Sequence, residues 1–201
     1  MQQSSQTSNR YQAAIELIDI ANSEDPNTEF VTATRKNYPR EVLYSHRMTS
    51  ALDHVSSNSS VPLRLATHAQ HIQRWKIPRD SYPEGRQGYR RWRTALGKFH
   101  AETTAKILLT VGYDNEVITR VEQLLRKERL KMDPECQILE DVVCVVFIEH
   151  YLEDFATKHD EEKILDILRK TWRKMSSQGH TVALKIKLPE PLAALIIKAL
   201  D

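Results

Sequence analysis

Three histidines, His46, His71 and His100, stand in three separate stretches of helical periodicity. A fourth, His68, precedes His71 by three residues, so the pair is expected to share one side of a helical turn. The most apolar stretch of the chain, residues 142–148, is entered through Glu140 and Asp141 and left through Glu149 and His150. A carboxylate in a buried helix is costly unless it is paired, hydrogen-bonded or bound to a metal. Imidazoles and carboxylates brought into one core by several helices are the donors of a metal centre. A metal held there would lower the pKa of a bound water and supply a nucleophile at neutral pH.

A second group of residues suits anions. Between positions 74 and 98 lie Arg74, Lys76, Arg79, Arg86, Arg90, Arg91, Arg93 and Lys98, opposed only by Asp80 and Glu84. Trp75, Tyr82, Tyr89 and Trp92 are interleaved. Guanidinium forks match phosphate oxygens and stack on aromatic rings. Arg74, Arg79, Arg91 and Lys98 are therefore the expected phosphate-binding residues, flanked by His71 and His100. Bases stacking on the same aromatic rings would make RNA the other expected ligand.

The elements that must position these groups are helical. Ala14, Ile15, Ile18 and Asn22 mark one helix, stopped by the turn cluster 23–27. Residues 28–38 read as irregular. Pro39 and Pro62 open two more helices as first-turn residues. Residues 76–88 form a long loop, and a helix resumes near Tyr89 and ends at Gly112. Asp114 caps the next helix, and Asp133-Pro134 starts the apolar one. A helix over 160–175, a break at Gly179 and a last helix over 192–200 complete the chain. A weak alternation over 182–188 is the only strand-like pattern. The expected architecture is all-α, with seven or eight helices in a single domain over 9–201, behind a polar tail at 1–8.

Composition narrows the function further. Five glycines in 201 residues are too few for a dinucleotide- or nucleotide-binding fold that cradles phosphate with backbone. A net charge of +2 argues against a wholly nucleic-acid-binding surface. Cys136 and Cys144 form no C-x-x-C pair and are expected as buried free thiols. The first ten residues carry no apolar segment, and no stretch is long enough for a membrane span. A soluble, cytoplasmic protein is expected.

The order of segments "YSHRM", "HAQHIQRW", "KFHAETTAKILLTVGYDNEVITRVEQLLRKE" and "LEDVVCVVFIEHYL" resembles the HD-domain superfamily of metal-dependent phosphohydrolases over about residues 40–155. The resemblance implies an HD-like fold. It also implies a divalent transition metal (Fe, Mn, Co or Zn) held by His46, His71, His100 and Asp141, with Glu128 or Glu149 as an extra ligand or general base. The implied activity is hydrolysis of a phosphorylated small molecule, a nucleotide among the options. The chain departs from that family at the doublet, where Gln70-His71 stands in place of His-Asp. The alternative is a non-catalytic scaffold that binds an anionic ligand or RNA, and iron-dependent oxygenation in the same pocket is a third outcome. At closer range "QHIQRWKIPRDSYP", "YRRWRTALGKFHAE", "LRKERLKMDPECQILEDVVCVVFIEHY" and "KHDEEKILDILRKTWRKMSSQGH" resemble a bacterial and fungal family, the domain of unknown function 4202.

Overall fold

The computed structural model of the chain describes residues 2–130 and 132–200, with side chains from residue 8 onward. Helices hold 71% of the residues and strands 4%, so the fold is all-α with many helices. In order they are α1 (Gln2–Ser23), the hairpin β1 (Thr28–Val31) and β2 (Lys36–Pro39), α2 (Arg40–Val55) and α3 (Val61–His68). Two short 3-10 turns, Arg74–Lys76 and Arg79–Ser81, lead to α4 (Gly85–Thr110) and α5 (Asn115–Leu125). Then come α6 (Pro134–His150), α7 (Leu152–Thr157), α8 (Glu161–Trp172), α9 (Ser177–Ala183) and α10 (Glu190–Leu200). Residue 1 of the expected tail lies outside the described residues, and the backbone of 2–8 continues into α1. No helix among the described residues is long and apolar enough to cross a membrane.

The caps fall where their chemistry demands. Ser60, Asp114, Asp133, Asp160 and Ser176 each accept a hydrogen bond from a backbone N–H in the first turn of the helix that follows. Each such cap contributes about 1 kcal/mol. Gly112 ends α4 with φ +81°, a conformation that suits a residue without Cβ.

Several local expectations are corrected. Residues 28–39 form an antiparallel hairpin, registered Thr28 to Pro39 and Val31 to Lys36, closed by Arg35 at φ 55°. The alternation at 182–188 is no strand: α9 covers its start, and turns follow. Gly179 does not break a helix but sits inside α9, tight against Asp141. The short helices α7 and α9 lacked a long apolar stripe to announce them.

The chain divides into two compact units. The first holds the chain up to residue 49 and residues 59–129. In it α4 packs on α5, α3 on α5, and α1 on both α3 and α4. The second holds residues 50–58 and the described residues from 130 on. There α6 packs on α7 and α9, and α8 packs on α10. Helix α6 is buried almost all round, as its apolar run predicts, and both cysteines on it are buried and form no disulfide.

Candidate functional site

The first unit brings the chemistry together around one turn. Helix α3 ends at His68, because residues 69–73 tighten into turns and Gln73 takes φ 49°. His68 and His71 therefore do not share a face. Buried Asn22 of α1 fixes this turn: its Oδ1 accepts from the Gln73 N–H at 2.8 Å, and its Nδ2 donates to Ser45 Oγ at 3.1 Å.

On one side of the turn His68 meets Asp19 of α1 and His46 of α2. His68 Nε2 lies 2.9 Å from Asp19 Oδ1, and His46 Nε2 lies 3.0 Å from Asp19 Oδ2. One donor atom from each of the three residues lies within 4.8 Å of the other two. Among the described residues this is the only grouping of three or more histidine, cysteine or carboxylate side chains so arranged. His68 is buried, Asp19 partly so and His46 mostly exposed. Burial works to raise the Asp19 carboxyl, but the hydrogen bonds with His46 and His68 outweigh it and hold Asp19 well below the usual carboxylate range. The bond to Asp19 raises His46 above the ordinary imidazole value.

On the other side His71 stacks on Tyr44 with ring centroids 3.9 Å apart, and its Nδ1 is 3.4 Å from Glu41 Oε2. His100 lies beyond it, 6.1 Å between centroids. Both line a cleft of about 620 Å³ with Gln70, Arg93, Lys98 and Lys127. His100 Nδ1 donates to the Ile72 carbonyl at 2.8 Å. A carbonyl only accepts, so in the neutral ring Nε2 is a bare lone pair. That Nε2 is buried and has no hydrogen-bond partner among the described residues. Burial, with Arg74 and Arg93 adding to it, pushes His100 down to about 3, so the ring is neutral at pH 7. Burial and the nearby Arg74, His100, Arg93 and Lys127 drive His71 down likewise. Burial pushes Glu41 up to about 7. The cleft therefore pairs cations with an unused base, a combination that suits an anion carrying or accompanied by a proton donor.

The basic stretch divides into support and site. Trp92 is buried and donates from Nε1 to the Ile77 carbonyl at 2.9 Å, strapping residues 74–88 to α4. Gly88 permits this, since a Cβ there would sit 1.8 Å from the Pro83 oxygen. Arg74 lies over the Trp92 ring at 5.1 Å. Arg79 spends its fork on the carbonyls of Tyr82 and Pro83. Arg91 is exposed and not among the cleft residues, whereas Lys98 is on the rim, 3.7 Å from Glu102.

His46, His71 and His100 do not meet at a common point: His46 joins Asp19 and His68, while the other two face the cleft. Asp141 belongs to the second unit, where its carboxylate accepts from Ser176 N at 2.8 Å, Ser176 Oγ at 2.5 Å and Gln137 Nε2 at 3.0 Å. Glu149 is about half exposed beside His150. Glu128 lies 3.8 Å from Arg126 Nη1. Arg93 belongs to the basic stretch but not to the expected phosphate-binding residues, although Arg93, Gly97 and His100 follow the i, i+4, i+7 spacing of one helix face. Asp19, Glu41 and Lys127 reach their partners through tertiary packing and carry no local signal of it.

No curated protein and no solved structure matches the chain. A family model described as a domain of unknown function (DUF4202) matches residues 12–196, and the chain belongs to that family.

Proposed function

We propose that the protein is a cytoplasmic, divalent-metal-dependent hydrolase of a phosphorylated small molecule, bound in the cleft of His71 and His100. One observation carries this: the buried, unpartnered Nε2 of a neutral His100 in a cleft lined by Arg93, Lys98 and Lys127. Arg93 and Lys127 hold the phosphate oxygens, and Lys98 meets the ligand at the rim. His100 Nε2 accepts a hydrogen bond from the attacking water and orients it; the water's proton passes to a phosphate oxygen as the water oxygen bonds to phosphorus and the ester P–O bond breaks. Glu41 and His71 form a proton store for the leaving oxygen, since Glu41 exchanges its proton near neutral pH. A divalent transition metal (iron, manganese, cobalt or zinc) would supply a water of lowered pKa.

The test is phosphate release from a panel of phosphate monoesters, nucleoside monophosphates included, with each metal added. Turnover lost in Arg93→Ala is the expected result. No turnover, with salt-sensitive phosphate binding retained, would leave a non-catalytic anion-binding protein. RNA binding is the second alternative, favoured by the exposed Arg86, Tyr89, Arg90 and Arg91 at the start of α4.

Lys127 gives a sharper handle. It sits just past α5 at φ 54°, a left-handed position where glycine is at ease and lysine is strained. Lys127→Gly is expected to leave the melting temperature equal or higher, a gain of at most about 1 kcal/mol. The same change should weaken binding of inorganic phosphate in a calorimetric titration.

A further inference from the structure

The structure assigns a metal-binding site to Asp19, His46 and His68, taking a divalent transition ion on His46 Nε2, His68 Nε2 and the Asp19 carboxylate. The site lies on the other side of the turn from the His71–His100 cleft, so its existence does not rest on the proposed hydrolase.

Convergence of donor atoms carries the inference. His68 Nε2 lies 2.9 Å from Asp19 Oδ1, and its other ring nitrogen, Nδ1, lies 2.9 Å from Thr49 Oγ1. With the Thr49 hydroxyl turned to Nδ1, Nε2 keeps its hydrogen and donates it to Asp19, which is the metal-free state. With the hydroxyl turned to the Ser45 carbonyl, 3.1 Å away, Nδ1 carries the ring hydrogen and Nε2 offers a lone pair to an ion held with the carboxylate.

Three features favour the metal. His46 Nε2 converges on the second oxygen of the same carboxylate at 3.0 Å, so two imidazoles and one carboxylate share a single locus. Neighbouring ligands each about 2.1 Å from an ion stand roughly 3 Å apart, the spacing seen here. Thr49, 2.9 Å from Nδ1, orients the His68 ring, as outer partners of ligating histidines do. The exposed side of His46 leaves the site open to solvent, with room for water or substrate as further ligands. Two nitrogens and a carboxylate suit iron(II), cobalt(II) or zinc, and suit magnesium or calcium poorly.

The test is titration of the full chain, stripped with chelator and then freed of it, with cobalt(II) followed by visible absorption and competed with zinc. One equivalent is expected to bind. Asp19→Asn and the exposed-site variant His46→Ala should each lower affinity by at least about tenfold. Arg93→Ala, in the cleft, should bind cobalt as the parent does. No uptake, or uptake indifferent to both ligand variants, would overturn the site. So would nitrogen NMR showing both His68 nitrogens protonated in the presence of added zinc. Cobalt binding without turnover of any ester keeps the site and removes the hydrolase. Turnover in the stripped protein with no cobalt uptake removes the site and the metal dependence of the proposed hydrolase.

Discussion

His100→Gln is expected to lower phosphate release from any ester the protein turns over by about 10²-fold, the usual cost of a misplaced reactant. Glutamine can still donate to the Ile72 carbonyl, so the helix contact survives while the ring lone pair is lost. Stability against pH gives an independent check. The unfolded histidine takes its proton near 6.5, whereas the folded one resists until about 3. The unfolded state therefore binds more protons throughout that window, and acid favours it. Whatever stability the neutral ring contributes is fully present above 6.5 and drains away as pH falls toward 3. His100→Gln removes that drain. In urea melts at descending pH, the advantage of the parent over the variant should shrink by a few kcal/mol. An advantage constant with pH would mean that the ring is not held neutral.

The largest stability loss is expected at Asp141. Asp141→Ala takes away the acceptor of three hydrogen bonds at a carboxylate only 1% exposed. It leaves the Ser176 N–H unpaired and loosens Ser176, whose hydroxyl caps α9 by accepting from Gly179 N at 3.2 Å. A cost of about 3 kcal/mol is expected. Gly179→Ala attacks the same spot from the other side, since a Cβ there would sit 2.7 Å from the Asp141 carboxyl carbon. Alone it should cost about 2 kcal/mol. The two losses should not add, because the alanine at 141 vacates the space that the new methyl needs. A double-mutant cycle by chemical denaturation measures this. If Asp141 were instead a metal ligand, its loss would lower bound metal and leave the metal-free protein as stable as before.

Local chemistry made much of the fold legible. Asp114, Asp133-Pro134 and Gly112 mark helix ends by what their own side chains do, or lack, and α6 is announced by apolar residues with no polar face. The site was legible only in part, because its contacts span the chain. His46, His71 and His100 stand out as types, but which carboxylate His46 and His71 meet depends on how α1 and α2 pack. Asp19 looks like an ordinary polar edge of α1 until His46 and His68 arrive from 27 and 49 residues away. The turn at 69–73 sends His68 and His71 to different partners, which a continuous helix would not do. Arginine type alone misled as well: Arg79 supports its own loop, while Arg93, on the face of His100, reaches the cleft.

Asn22 ties α1, α2 and the turn after α3 through a single amide, and the two ends of that turn carry His68 and His71. A ligand at one end that shifts this turn would be felt at the other. Thermodynamics makes such coupling symmetrical: an ion at Asp19 that tightens phosphate binding in the cleft must itself be held more tightly, by the same factor, when phosphate is present. Protein and ion would then be kept from parting when phosphate is plentiful, and the ion would be surrendered most readily by the unliganded protein.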